Sequence, residues 1–258
     1  MKPSRLVILE PPAKLNLGLR ILGRRKDGYH LLDTLFCAVS LRDRLVIRGG
    51  PGLAVRLLGR RLRRPDLVEQ AAVLFKGAAG VREGAVLTLT KKIPVGGGIG
   101  GGSSDAAAAL RGLAAFWRVR KAGPLCRRLA RRLGADVPFF LRGGLARGKG
   151  VGERLQGLAS PGRRWFLLIL DLRPLSTPSV FREYDAGRPR GYNAPVEGPW
   201  RNDLAAAAER LRPGLGRKRR RLERAWGRPV GLSGSGPTLF AEFPSKAEAL
   251  KARRTAVR

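Results

Sequence analysis

The sequence is short of several residue types, and each shortage excludes a class of protein. Two cysteines in 258 residues are too few for a disulfide framework, so we expect Cys37 and Cys126 to be reduced thiols in a cytoplasmic protein. No apolar run approaches the ~18 residues that a membrane span requires, and the first run, residues 6–9, is too short for a secretory signal. We therefore predict a cytoplasmic protein without a membrane anchor.

Acidic residues are also scarce: 19 Asp and Glu stand against 52 Lys and Arg, and the formal net charge is +33. Such a charge is typical of proteins that bind nucleic acid or another polyanion. The basic run 217–221, however, lies at helical spacing with Leu215, Leu222 and Trp226, which favours an exposed helix face. Aromatic residues do not alternate with the cations as base stacking would require. Specific nucleic-acid binding therefore remains only the alternative function.

The order of predicted elements indicates an α+β fold in two lobes. Strands are predicted at 6–9, 15–22, 31–39, 45–47, 53–58 and 85–90, and helices at 66–76, 103–117 and 125–133, with a short turn or helix at 136–141. Further on, strands are predicted at 165–170, 230–232 and 238–243, with helices near 179–184, 203–211, 215–226 and from 245 onward. The best linker, Pro161-Gly162, divides the chain into an N-terminal lobe, 1–160, and a C-terminal lobe, 161–258.

The most informative segment is rich in glycine. Six of the seven residues at 96–102 are glycine, and since glycine carries an entropy cost and supplies no side chain, we expect a ligand rather than packing to require them. The segment connects a predicted strand to an Ala-rich helix, an arrangement that offers backbone N–H groups to phosphate. Ser103 or Ser104 is expected to cap that helix.

Two common phosphate-binding motifs are excluded by their context. Gly96-x-Gly98-x-x-Gly101 satisfies the dinucleotide fingerprint, but no acidic residue lies between Asp105 and Asp136 to bind a ribose. Residues 143–150 read as a P-loop except at Gly150, which has no hydroxyl to hold Mg²⁺.

Four sequence blocks, taken together, resemble the GHMP superfamily of small-molecule kinases. The blocks are residues 12–17 with 25–30, residues 92–107, residues 134–141 with 143–144, and residues 232–238. Within the superfamily, Asp-Gly-Tyr-His at 27–30 is similar to the branch that phosphorylates 4-(cytidine 5'-diphospho)-2-C-methyl-D-erythritol on its 2-hydroxyl in the non-mevalonate isoprenoid pathway. The resemblance implies a two-lobed α+β GHMP kinase fold with a β/α N-terminal lobe and a ferredoxin-like C-terminal lobe.

The resemblance also implies the site residues. Lys14 and Asp136 match the catalytic pair. The residues that match ATP-binding positions are Lys91, Pro94, Gly96, Gly97, Gly98, Ile99, Gly100, Gly101, Gly102, Ser103 and Ser104. Those that match substrate-binding positions are Asn16, Tyr29, His30, Thr177 and Phe181. Tyr29 and Phe181 would be the aromatic walls for cytosine, and His30 its hydrogen-bonding reader.

Several of these residues also have a simpler interpretation. Asp136 precedes the apolar segment Val-Pro-Phe-Phe, where its charge needs a nearby cation, but a helix N-cap is the alternative. Lys14 alone would be interpreted as a surface cation at a strand edge, and His30, the only histidine, as a structural hydrogen-bonding residue. Asp66 stands where the family commonly has Asn; an ionised carboxylate only accepts hydrogen bonds, so no adenine contact is predicted there.

The expected partners are ATP with Mg²⁺ and a cytidine diphosphate derivative, bound by a monomer or weak homodimer. Phosphoryl transfer requires the metal ion to neutralise phosphate charge, but no pair of acidic ligands stands out, and no metal-binding residue is predicted. Other GHMP substrates of the homoserine or mevalonate type remain the alternative within the kinase class.

Overall fold

The computed structural model describes residues 5–58, 67–187 and 199–256. The first part of the chain contains β1 (Leu6–Leu9), β2 (Pro12–Arg24), β3 (His30–Arg42), β4 (Arg44–Arg48), β5 (Leu53–Leu58), α1 (Leu67–Ala79), β6 (Ala85–Thr90), α2 (Gly101–Phe116), α3 (Gly123–Leu133), α4 (Val137–Arg142), β7 (Leu145–Gly150) and β8 (Arg154–Leu158). The second part contains β9 (Trp165–Ile169), α5 (Thr177–Ala186), α6 (Ala205–Leu211), α7 (Pro213–Trp226), β10 (Gly231–Leu232), β11 (Leu239–Phe243) and α8 (Lys246–Ala256).

One four-stranded sheet, in the order β1-β4-β6-β5, forms one side of the first hydrophobic core. Alternate residues of β4 and β6 are buried, among them Leu45, Ile47, Leu87 and Leu89, as expected for a sheet with one covered face. Helices α1 and α2 cover it, and the Ala-rich sequence of α2 allows close approach of its neighbours. This core therefore fixes the start of α2, where the glycine-rich segment ends.

A long hairpin connects the two parts of the molecule. Strands β2 and β3, 13 residues each, pair with each other and continue into the sheet β2-β3-β7-β8. Leu19 and Ile21 of β2 pack into a second core with residues of the third sheet, β10-β11-β9, and of helices α5–α8. Because β2 takes part in both regions, its side chains lie between them.

Most of the predicted elements are confirmed, and the differences have physical reasons. β5 pairs parallel to β6, because α1 provides the crossover connection between them. Strand β8 was not predicted, because its sequence, Arg-Leu-Gln-Gly-Leu, is partly exposed and contains glycine. The P-loop-like segment is mostly strand β7, paired with β3 and β8, in agreement with its rejection.

The basic run 217–221 lies on α7, where Leu215 and Leu222 are buried. This confirms the interpretation of the run as an exposed helix face.

Cys37 and Cys126 are both free thiols, as expected. No helix in the described ranges has the length and apolarity needed to cross a bilayer. The predicted boundary at Pro161-Gly162 falls between β8 and β9.

Candidate active site

A cavity of about 850 Å³ lies where the hairpin, the glycine-rich segment, α4 and α5 meet. Most of the predicted site residues line it: Lys14, Asn16, Tyr29, His30, Lys91, Pro94, Gly96, Gly97, Gly98, Gly100, Gly101, Gly102, Ser103, Asp136, Thr177 and Phe181. Ile99 and Ser104, predicted with them, are buried behind the wall of the cavity instead. The residues come from both halves of the chain, so the fold gathers the sequence blocks into one place.

A lysine and an aspartate that line the cavity face each other. The Nζ of Lys14 lies 3.4 Å from Oδ2 of Asp136; the lysine is buried, whereas Asp136 is 33% exposed. Asp136 occupies the N-cap position of α4, but its side chain makes no capping hydrogen bond. The carboxylate is therefore directed to the lysine and the cavity, and the helix-cap interpretation does not describe its role.

Neighbouring polar groups hold Lys14 in place. Its ammonium donates a hydrogen bond to Oδ1 of Asn16 and lies 5.4 Å from the ring centroid of Phe36. The Nδ2 of Asn16 donates to Oγ1 of Thr34 over 2.7 Å, and Thr34 donates to the carbonyl of Gly18. Asn16 is thus fixed with its oxygen toward the ammonium, and Lys14 is not the strand-edge surface cation of the simpler interpretation.

A second lysine lies behind the glycine-rich segment and has two acidic partners. Lys91 Nζ lies 2.5 Å from Oδ2 of Asp43 and 2.6 Å from Oδ2 of Asp105, and both carboxylates are buried. The other oxygen of Asp43 accepts hydrogen bonds from the backbone N–H groups of Lys92 and Ile93. Lys91 therefore connects β6 and the segment after it to α2, which carries Asp105.

Burial and charge shift the pKa values in this triad. Burial raises the pKa of Asp105 to about 7, and the negative charge of Asp43 adds to this, while the Lys91 ammonium opposes it. For Lys91, burial acts to lower the pKa, but the attraction of Asp105 and Asp43 outweighs burial and the net shift is upward. The Oδ1 of Asp105 is buried and has no hydrogen-bond partner among the described residues.

Several glycines of the segment are required by packing within the protein itself, contrary to our expectation that packing does not require them. Gly98 has a φ of +74°, and a Cβ there would lie 2.4 Å from the carbonyl oxygen of Ser233. At Gly100, with a φ of +71°, a Cβ would lie 2.8 Å from the ring of Phe140. The sequence could not reveal these contacts, because their partners are 40 to 135 residues away. Among the described residues, a Cβ at Gly102 would meet only Leu67, at an ordinary contact distance of 3.7 Å.

The expected serine cap is also wrong. Helix α2 begins at Gly101, the N-cap residue is Gly100 in the left-handed conformation, and no side chain caps the helix. Ser103 and Ser104 lie in the first turn, and the hydroxyl of the buried Ser104 has no hydrogen-bond partner in the part of the chain that is described. The N-terminal N–H groups of this 16-residue helix are thus left without a side-chain cap at the cavity wall.

The predicted base-binding residues line the cavity at the start of β3 and on α5. The ring of His30 stacks on Phe181, with 4.8 Å between centroids and an interplanar angle of 23°, and Tyr29 beside it is 64% exposed. Thr177 Oγ1 is hydrogen-bonded to Ser235 Oγ over 2.8 Å. Asp66, the remaining position discussed for the nucleotide, lies outside the described residues.

Three residues important to the geometry were not predicted. Asp43 is separated from Lys91 by 48 residues, and no local pattern marks it. Ser235 lies in the matched block 232–238, which was a usable signal. Asp185 pairs with His30 and follows Thr177 and Phe181 at intervals of four residues, a spacing that places all three on one face of α5.

No group of three or more His, Cys, Asp and Glu side chains that could hold a metal ion occurs within residues 5–58, 67–187 and 199–256. The acidic side chains that line the cavity are instead paired within the protein: Asp136 with Lys14, Asp105 with Lys91, Asp27 with Arg25, and Asp185 with Arg24 and His30. An Mg²⁺ ion commonly keeps several water ligands and binds substrate phosphates with only one or two carboxylates. The carboxylates at the cavity are therefore suited to an Mg²⁺ ion that is bound mainly by the phosphates of a nucleotide.

The family model described as the GHMP kinases N terminal domain matches residues 66–144. The chain is 43% identical over 260 residues to 4-diphosphocytidyl-2-C-methyl-D-erythritol kinase of Thermus thermophilus, covering 93% of this chain and 91% of the relative. It is 34% identical to the kinase of the same name from Bacillus pumilus, with coverage of 94% and 90%.

Solved structures show the same relationship. A crystal structure of 4-(cytidine 5'-diphospho)-2C-methyl-D-erythritol kinase matches with a TM-score of 0.83 and 40% identity, covering 97% of this chain and 95% of that one. Homoserine kinase from Cytophaga hutchinsonii matches with a TM-score of 0.71 but only 16% identity, covering 100% of this chain and 92% of that chain. The second match supports the fold alone, and the two-lobed GHMP kinase fold predicted from the sequence is confirmed.

Proposed function

Because the chain belongs to the 4-diphosphocytidyl-2-C-methyl-D-erythritol kinase family, we propose that it transfers the terminal phosphate of ATP to the 2-hydroxyl of 4-(cytidine 5'-diphospho)-2-C-methyl-D-erythritol. The observation that carries this proposal is the pair Lys14 and Asp136, 3.4 Å apart, in one cavity with the uncapped start of α2. A carboxylate, an ammonium and a phosphate-binding helix end are the groups that phosphoryl transfer needs.

Asp136 and Lys14 have complementary tasks in this proposal. The carboxylate of Asp136 accepts the hydrogen of the substrate hydroxyl and orients its oxygen toward the terminal phosphorus. The new P–O bond forms as the bond to the leaving ADP breaks, and the hydroxyl proton passes to Asp136. The Lys14 ammonium offsets the negative charge of the transferring group, and its burial strengthens that interaction.

The nucleotide phosphates bind at the glycine-rich segment. The N-terminus of α2 carries partial positive charge and unpaired N–H groups, and Gly100–Gly102 line the cavity beside it. An Mg²⁺ ion bound to the nucleotide would neutralise part of the phosphate charge, and it would be held chiefly by phosphate oxygens and water. The high positive charge of the whole chain favours capture of two polyphosphate ligands.

The cytidine end of the substrate binds near the start of β3 and on α5. Tyr29 and Phe181 provide aromatic surfaces for the base, and His30 provides hydrogen bonding to its edge. Asn16, beside Lys14, and Thr177, hydrogen-bonded to Ser235, provide polar contacts for the rest of the substrate. We place this activity in the cytoplasm, with the protein a monomer or weak homodimer that has no specific nucleic-acid partner.

The decisive experiment is ADP release by the purified protein with each of three acceptors. We expect turnover with 4-(cytidine 5'-diphospho)-2-C-methyl-D-erythritol and none above background with homoserine or mevalonate. Identification of a 2-phosphate in the product by phosphorus NMR fixes the position of transfer. Absence of ADP release with the cytidyl compound would overturn the proposal. Retention on DNA at ~0.2 M salt, where nonspecific contacts weaken, would favour a nucleic-acid partner instead.

A further inference from the structure

The carboxylate of Asp185, on α5, is directed at the only histidine of the chain. Its Oδ1 lies 2.7 Å from Nε2 of His30, and its Oδ2 lies 3.4 Å from Nη1 of Arg24. An ionised carboxylate only accepts hydrogen bonds, so Nε2 of His30 carries the hydrogen. Asp185 thereby determines which ring nitrogen is used within the protein and leaves Nδ1 as the atom through which the ring can contact a ligand.

The plane of the imidazole is fixed as well as its rotation. One face of the imidazole stacks on Phe181 with 4.8 Å between centroids, and the ring makes a T-shaped contact with Tyr184 at 6.1 Å. Phe181, Tyr184 and Asp185 all belong to α5, while His30 begins β3. A single helix therefore holds the imidazole by stacking, by an edge contact and by a charged hydrogen bond.

We propose that Asp185 is a positioning residue that fixes His30 for reading a base, and that it thereby determines selectivity for cytosine over uracil. This inference rests on the proposed function, in which His30 contacts the cytosine edge. Cytosine presents a donor at its 4-amino group and an acceptor at N3, whereas uracil presents an acceptor and a donor at the same two positions. A ring held in one orientation matches only one of these patterns, while a ring that can turn adapts to both.

The first test observes the hydrogen bond directly. Because His30 is the only histidine, its imidazole ¹⁵N and ¹H resonances need no assignment among others. In the wild type we expect a slowly exchanging Nε2 proton, because Asp185 accepts its hydrogen bond. Asp185→Ala is expected to lose this protection, and Asp185→Asn, whose amide oxygen still accepts a hydrogen bond, to retain part of it.

The second test measures selectivity with the cytidyl substrate and its uridyl counterpart. For Asp185→Ala we expect KM for the cytidyl substrate to rise ~10-fold, kcat to change less than ~2-fold, and the cytidyl-to-uridyl ratio of kcat/KM to fall ~10-fold. Asp185→Asn should recover part of the ratio. Glu183→Gln, on the same helix and paired with Arg210 instead, is the matched control and should leave both readouts unchanged.

The outcomes separate this inference from the function on which it rests. A protected Nε2 proton in Asp185→Ala, or an unchanged selectivity ratio in an active variant, would overturn the role of Asp185 alone. A wild-type protein that releases no ADP with the cytidyl substrate would overturn the proposed function and the selectivity with it. Loss of Nε2 protection together with a lower cytidyl-to-uridyl ratio in Asp185→Ala would support Asp185 as the residue that fixes the orientation of the His30 ring.

Discussion

Two lysines flank the glycine-rich segment, and their surroundings differ in a way that indicates their tasks. Lys14 has one carboxylate partner, Asp136, which is a third exposed and lies at 3.4 Å. Lys91 has two, Asp43 and Asp105, both buried and within 2.6 Å. A loosely paired ammonium facing a cavity can turn its charge to a ligand. A doubly paired one is already neutralised and instead connects parts of the fold.

The largest expected effect concerns the buried triad of Lys91, Asp43 and Asp105. Asp43→Asn removes the charge that pairs with Lys91 and weakens the acceptor for two backbone N–H groups. Removing one partner of a buried pair costs about 3–5 kcal/mol. We expect the free energy of unfolding in urea to fall by that amount. Asp33→Asn is the control: its partner Arg147 is half exposed, so a loss of at most about 1 kcal/mol is expected. Equal losses of unfolding free energy in Asp43→Asn and Asp33→Asn would mean that the buried triad is no more important to stability than the more exposed pair of Asp33 and Arg147.

The next effect concerns the exposed pair. Asp136→Asn keeps the shape of the side chain but removes the proton acceptor, so we expect kcat to fall by ~10²-fold or more with little change in stability. ADP release and urea denaturation of the same preparation measure both quantities. Near-normal turnover would remove Asp136 from the catalytic pair, and Asp33→Asn again serves as the control.

Lys14→Ala should reduce kcat by a similar ~10²-fold factor. If Lys14 and Asp136 act as a unit, the double variant is expected to lose little more than either single variant. Fully multiplicative losses would mean that the two groups act independently.

The surroundings of the two lysines, Lys14 and Lys91, could be predicted from the sequence to different extents. Alternating apolar residues identified β4 and β6, and the four sequence blocks identified the residues around Lys14 and Asp136. Asp43 could not be predicted, because its partner Lys91 is 48 residues away and a single aspartate before a strand can have many roles. Sequence patterns record periodicity and short motifs, whereas the triad depends on how β4, β6 and α2 pack together.

The glycines illustrate the same limit. Their number in the sequence correctly marked a place of close approach, but the approaching atoms at Gly98 and Gly100 belong to Ser233 and Phe140 of the protein itself. A cluster of glycines predicts that something lies near the backbone and does not identify it. The sequence predicts that this helix begins at residue 103, whereas α2 begins at Gly101. Glycine is typical of loops, and the sequence does not show that Gly101 and Gly102 are helical.

Gly98→Ala and Gly102→Ala separate packing from ligand approach within this segment. At Gly98 a Cβ would collide with backbone at positive φ, so we expect unfolding free energy to fall by about 2 kcal/mol. At Gly102 the conformation is helical and space is available, so stability should stay within about 1 kcal/mol of the wild type, while KM for ATP rises if phosphate approaches there. Thermal denaturation and ATP titration measure the two effects. Equal destabilisation by both substitutions would show that packing alone explains the segment.

The last prediction concerns the charge of the buried triad. The carboxyl of Asp105 in an unfolded chain titrates near 3.9, and burial raises its pKa to about 7 in the folded protein. Between these values the folded state holds a proton that the unfolded state lacks. The free energy of unfolding should therefore decline as pH rises from about 4 to about 7, by up to about 1.4 kcal/mol per pH unit. The upward shift at Lys91 acts only at alkaline pH and does not contribute.

Asp105→Asn should remove this decline, so the urea midpoints of the wild type and the variant should be closest near pH 4 and separate as pH rises to about 7, with the wild type losing stability relative to the variant. Parallel curves would mean that Asp105 stays ionised throughout and that the triad carries a net negative charge. That result would contradict the contrast between the two lysines, since a negative triad behind Gly101 would repel the phosphates that α2 is proposed to bind. A protonated Asp105 leaves Lys91 and Asp43 as a neutral pair, and phosphate binding at α2 then meets no opposing charge.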